Sequence, residues 1–129
     1  MTNNIIEALE VVERWSSAFT QSDTDTVMSL FAPDAVFIGT TSKTVVTGLE
    51  GIRHYFESRL VQTKRYVSVL TDVVIGAVSN DVSTVTALNK ITITENDHTE
   101  LALGRLSIVL KKHAGLWKIV HFHRSAMPQ

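Results

Sequence analysis

The second half of this chain limits its fold more than any other feature. From Arg65 to Ser125 it is written in four long runs rich in Val, Ile, Thr, Leu and aromatic residues. The runs are Arg65 to Val78, Val82 to Glu95, Thr99 to Lys112 and Leu116 to Ser125. Between them stand only short turn signals: Ser79-Asn80-Asp81, Asn96-Asp97-His98 and His113-Ala114-Gly115. Turns this short cannot hold a crossover helix, so the strands are expected to form an antiparallel meander.

The first half reads differently. Ile5, Ile6, Leu9, Val12, Trp15 and Phe19 follow the i, i+3, i+4 spacing of a helix with one apolar face. Asp23 is a plausible N-cap for a short second helix carrying Val27, Met28, Leu30 and Phe31. Pro33 and Asp34 are expected to stop it and turn the chain. Short strands are expected over Ala35 to Gly39 and Thr44 to Thr47. A third helix follows from Leu49 to about Val61, with Leu49, Ile52, Tyr55, Phe56 and Leu60 as its apolar positions. Helices first and strands afterwards define an α+β fold. The expected architecture is a curved, cone-like antiparallel sheet wrapped on three N-terminal helices, with a cavity between the layers as the natural ligand site.

A length of 129 residues suits one domain, taken here as residues 1–129. The net charge is -1, which gives no footprint for nucleic acid or an anionic membrane. There are no cysteines, so a disulfide framework, a thiolate zinc site and a cysteine nucleophile are excluded. No stretch approaches the roughly 18 apolar residues of a membrane span, and the N-terminus lacks the pattern of a signal peptide. The chain is therefore expected in the cytoplasm. It has no glycine-rich phosphate loop, Walker motif or Gly-x-Ser-x-Gly elbow, so no cofactor is expected.

The local motifs WSSAFTQSDTD (Trp15 to Asp25), LFAPDAV (Leu30 to Val36), GLEGIRHYF (Gly48 to Phe56) and GLWKIVHFHRSAMP (Gly115 to Pro128) resemble the nuclear transport factor 2-like superfamily. That superfamily includes ketosteroid isomerase, scytalone dehydratase and the polyketide cyclase SnoaL. The resemblance covers nearly the whole chain. The ending, Trp117 to Ser125 with Pro128, is its most specific part. It is similar to the association, or hub, domain of calcium/calmodulin-dependent protein kinase II. With no kinase domain ahead of it, the chain is expected to act as a stand-alone relative.

The resemblance implies a cavity in which arginines hold a small carboxylate. One such arginine matches Arg124. A second falls on Lys90, which keeps the charge and loses the bidentate fork. A third falls on Ser107, and Arg105, two residues earlier on the same strand face, is its expected substitute. A pocket histidine of the hub domain falls on Ile52. The acid base and the tyrosine of ketosteroid isomerase fall on Gly39 and Trp15, so that mechanism does not carry over.

The residues themselves leave several readings open. Arg124 is either an anion-binding fork or a rim salt bridge. His121 and His123 share a strand face and suit a metal pair, or else hydrogen bonds at a sheet surface or subunit interface; with no adjacent carboxylate, no metal site is expected. Alternation places Trp117 and Ile119 on the histidine face and Phe122 and Arg124 on the other. A Trp-Ile-His-His stripe would then meet a partner. Asp72 is either a buried acid or base or a wet residue paired with a cation such as Lys90. Trp15 roofs the cavity or belongs to the core, the latter being the plainer reading.

The expected function is a self-assembling association-type domain, a homodimer or larger ring, that binds a small carboxylate-bearing molecule without turnover. Arg124, Lys90, Arg105 and Ser107 would frame the charge, and Trp15, Phe37, Tyr55 and Phe122 the apolar wall. The alternative is a small isomerase, dehydratase or cyclase acting on an apolar cyclic substrate, with Asp72, His121 and His123 as acid–base candidates.

Overall fold

A computed structural model describes residues 2–129. Three helices, α1 (Thr2–Thr20), α2 (Thr24–Ser29) and α3 (Gly48–Arg59), cover a single six-stranded sheet. The strands are β1 (Phe31–Ile38), β2 (Val46–Thr47), β3 (Arg65–Ala77), β4 (Val82–Glu95), β5 (His98–His113) and β6 (Leu116–Ala126), in the spatial order β2-β1-β6-β5-β4-β3. The meander β3 to β6 is antiparallel throughout, but β1 lies parallel to β6. The sheet is therefore mixed, not wholly antiparallel as expected. None of the described helices is long and apolar enough to cross a membrane.

Local chemistry sets the boundaries. The Asp23 carboxylate accepts the Thr26 N–H at 3.1 Å and its hydroxyl at 2.6 Å, which caps α2. Those two bonds hold the Asp23 carboxyl below its ordinary pKa. The helix stops earlier than expected: Leu30 caps it and Phe31 already opens β1. Pro33 and Asp34 do not end the helix. They sit, exposed, where the β1–β6 register slips between Phe31 and Val36. A proline lacks a ladder N–H, so it costs least at such an irregularity.

The last hairpin turns on Ala114 (φ 52°) and Gly115 (φ 81°), both left-handed. Two such residues make the turn that matches strand twist. Glycine tolerates this conformation and alanine does not. Ala114→Gly is therefore expected to raise stability by about 0.5–1 kcal/mol, read as a higher urea midpoint at unchanged slope.

The core lies between helices and sheet. Ala8, Val12, Trp15 and Phe19 of α1, Ile52 and Phe56 of α3, and Phe31 and Phe37 of β1 meet Leu106, Ile108, Ile119 and Phe122 of the sheet, all buried. Trp117 and Ile119 belong to this core and not to an outer stripe. The reason is a β-bulge: Val109 pairs with His121 but Leu110 with Ile119, so Val120 is an extra residue. The bulge reverses alternation, and Trp117, Ile119, Phe122 and Arg124 all face the helices. His121 and His123 face away, half-buried and exposed respectively.

Candidate functional site

The helices do not fill the space over the sheet. A cavity of about 170 Å³ remains, partly open to solvent and walled largely by Trp15, Phe37, Tyr55, Phe56, Tyr66 and Phe122. Phe37 and Phe122 are register partners on β1 and β6, and their rings stack at 5.0 Å and 14°. Tyr55 lies edge-on to Phe37 at 4.8 Å. It reaches there because Gly39 has no side chain; a Cβ at that position would overlap the Tyr55 ring. Trp15 satisfies both readings at once, since it is buried in the core and lines the cavity. Its indole N–H has no hydrogen-bond partner.

Arg124 supplies the polar end. It is only 6% exposed, and all its hydrogen bonds go to neutral groups. Nε donates to Asn89 Oδ1 at 2.8 Å. Nη2 donates to the carbonyls of Asn89 at 3.1 Å and Ala102 at 2.9 Å, and Nη1 to Thr40 Oγ1 at 2.7 Å. A guanidinium has five N–H donors, so one on Nη1 is left over. Burial pushes the Arg124 pKa below its ordinary value, with the Tyr55 phenol acting the other way. No carboxylate forms an ion pair with it among the described residues.

Two further cations, Arg59 and Lys64, line the same cavity, and Arg59 lies over the Tyr55 ring at 5.7 Å. The lining includes no Asp, Glu or His. Arg124 is buried, Lys64 half-buried and Arg59 exposed, and three cations with no acid on one lining attract an anion. Thr40, whose hydroxyl oxygen accepts from Arg124, can still donate its own hydrogen, while the Thr41 hydroxyl donates to Tyr55 Oη at 3.5 Å.

Five of the residues expected at the site, Trp15, Phe37, Tyr55, Phe122 and Arg124, do line this cavity. Lys90, Arg105 and Ser107 do not: all three are exposed on the other face of the sheet. On β4 the inward positions are Val85, Ala87, Asn89 and Ile91, so parity turns Lys90 out. Arg105 and Ser107 alternate with the buried Leu106 and Ile108, and Arg105 Nε donates to Ser125 Oγ at 3.2 Å. Asp72 is also exposed, in a bulge where Asp72 and Val73 together oppose Ala87. It adopts φ 52°, a conformation aspartate tolerates better than most residues. Asp72, Arg105, Ser107 and His123 come together in a groove on the outer face, away from the cavity. Among the described residues, no group of three or more His, Asp or Glu is placed to hold a metal.

Asn89, Thr40, Arg59, Lys64 and Gly104 escaped the sequence reading. Asn89 had a legible signal, as an amide on the inward face of β4 between Ala87 and Ile91. Gly104 lies under the guanidinium: a Cβ there would fall 2.6 Å from Nη2 and 2.7 Å from Nη1.

An open, curved sheet beneath three helices, closing on an aromatic cavity, is the α+β cone of the nuclear transport factor 2-like superfamily. The chain belongs to the SnoaL-like domain family, whose pattern matches residues 8–129. Among solved structures it is similar to a proposed calcium/calmodulin-dependent protein kinase II association domain from Xanthomonas campestris. That chain is 29% identical, with a TM-score of 0.86 over 95% of this chain and 87% of the other. A proposed dehydratase of the same superfamily from Streptomyces avermitilis is 17% identical, with a TM-score of 0.88 over 99% of both chains. A superfamily protein of unknown function from Pseudomonas putida is 21% identical, with a TM-score of 0.87 over 100% of this chain and 90% of the other. The latter two likenesses speak to fold alone. No curated protein matches the sequence significantly.

Proposed function

We propose that the protein is an association-type domain that self-assembles and holds a small carboxylate-bearing molecule in its cavity without converting it. The observation that carries this reading is Arg124, a buried cation held by four neutral acceptor contacts with no anion beside it. An uncompensated buried charge is unfavourable, and a ligand carboxylate would supply the missing partner. Size narrows the ligand further. A cavity of about 150 Å³ holds benzene, so 170 Å³ suits one ring or a short-chain acid. A four-ring steroid would need the cavity to open.

The alternative reading, an isomerase, dehydratase or cyclase, has less support. Its acid–base candidates Asp72, His121 and His123 lie outside the cavity, whose lining has no carboxylate or imidazole to move a proton. Self-assembly draws support from the outer face of the sheet. There Val67 and Leu101 flank Thr92, and Val69 and Leu103 flank Lys90, in two cross-strand rows. The four apolar side chains are all exposed, an arrangement that suits a second copy of the chain.

The test is a thermal-shift titration with benzoate, acetate and neutral cyclic compounds, beside sedimentation of the same sample. A ligand that binds only the folded state adds about 2.7 kcal/mol at a hundredfold excess over Kd. A carboxylate-specific rise in Tm that disappears in Arg124→Ala is expected, together with a dimer or larger ring. A rise only with neutral compounds, unchanged in that variant, would favour the enzyme. A monomer at micromolar concentration would remove the assembly half of the reading.

A further inference from the structure

We propose that Asn89 is the positioning and specificity-determining residue of the cavity: it holds Arg124 with neutral acceptors and so leaves the guanidinium charge for the ligand. This rests on the carboxylate-binding reading above.

Asn89 grips the guanidinium along one edge. Its side-chain oxygen takes Nε and its main-chain oxygen takes Nη2. The amide cannot turn over, because its own nitrogen is committed. Nδ2 donates to Ser68 Oγ at 3.0 Å and to the Val69 carbonyl at 3.2 Å. Reversal would aim Nδ2 at a cation and Oδ1 at a carbonyl. Ser68 Oγ is fixed in turn, 2.7 Å from Ser16 Oγ on α1, and the Ser68 N–H donates to Thr20 Oγ1 at 2.8 Å. A hydrogen-bonded chain thus runs from α1 across β3 and β4 to Arg124. Asn89 is 1% exposed and Ser16 6%, so water does not replace these partners readily.

The choice of amide matters for charge as well as shape. An aspartate has nearly the same outline and would meet Arg124 edge-on with a carboxylate. The cation would then have its anion inside the protein, and a ligand carboxylate would meet repulsion and an occupied charge. The cost of the exchange falls at the Val69 carbonyl, which would lose a donor and face an oxygen.

The experiment compares benzoate with benzamide, which share a shape and differ in charge, in the wild-type chain, Asn89→Asp and Asn89→Ala. Asn89→Asp is expected to lose benzoate affinity by about a hundredfold while benzamide changes only a few-fold. A merely structural role would weaken both alike. In Asn89→Ala the preference for benzoate should survive at lower affinity. Hydrogen exchange at the Arg124 Nε–H, followed by NMR without ligand, should quicken at least tenfold in Asn89→Ala. An unchanged benzoate-to-benzamide ratio in Asn89→Asp, or unchanged Nε–H exchange in Asn89→Ala, overturns the proposal. If the wild-type chain shows no preference for benzoate, the reading of the cavity fails instead, and the exchange rate still decides whether Asn89 holds Arg124. Should Asn89→Asp fail to fold, Asn89→Ala carries the decision through that rate.

Discussion

Replacing Phe122 with alanine is expected to destabilise the protein by about 3–5 kcal/mol. Few other truncations would cost as much. The ring is buried and lies among four others: Phe37 at 5.0 Å, Trp15 at 5.1 Å, Phe31 at 5.9 Å and Phe56 at 6.5 Å between centroids. Helix, strand and cavity wall meet at this one side chain, so no neighbour can close the gap without leaving its own place. Domains of this kind are stable by about 5–15 kcal/mol in all, so the loss would be a large fraction of the total. Urea unfolding checks it through the midpoint, with Phe122→Leu as the milder comparison. A loss under about 1 kcal/mol would mean that the aromatic cluster is loosely packed. The gap also opens into the cavity, so a surviving variant should accept a larger ring than the wild-type chain does.

Adding one methyl group at Gly104 is expected to abolish the carboxylate-dependent rise in Tm while Arg124 is still present. The new Cβ would come within 2.7 Å of both terminal nitrogens of the guanidinium. Arg124 must then leave its bed on β5 and surrender contacts to Asn89, Ala102 or Thr40. Each hydrogen bond to a charged group is worth roughly 1.5–3 kcal/mol. With one such bond lost, Gly104→Ala should be less stable by about 1.5–3 kcal/mol. Thermal melting with and without benzoate reads both effects. Wild-type benzoate binding in Gly104→Ala would show that the guanidinium works equally well elsewhere.

Much of this fold was legible before any coordinates, because its signals are local. Asp23 caps a helix, Asn96 and Gly115 take the positive φ their turns need, and β4 alternates from Val85 to Ile91 as a half-buried strand should. The aromatic wall was legible for the same reason: Trp15 and Tyr55 lie on apolar helix faces, and Phe37 stands in a short apolar run. The charged part of the site was not. Lys90 came from the family resemblance, although the parity of its own strand points to Asn89 one residue earlier. Ser107 came from the same resemblance and Arg105 from sharing its strand face, and that face is the outer one. The stripe on β6 failed for a different reason. A bulge at Val120 depends on pairing with β5 and β1, and a β-branched residue in a β-rich run gives no local sign of it. The parallel pairing of β1 with β6 is likewise a long-range choice, invisible in the spacing of either strand.

That bulge makes β6 a strand in two phases, and the boundary between them is one residue wide. Ahead of Val120, Trp117 and Ile119 serve the core; beyond it, Phe122 and Arg124 serve the cavity. Were the bulge erased at full chain length, with Val120 opposite Val109, His121 and His123 would turn inward and Arg124 out. The cavity would exchange its guanidinium for two imidazoles. Point substitutions along this strand can adjust the site gradually, whereas a one-residue slip in its pairing would replace the site's chemistry in a single step.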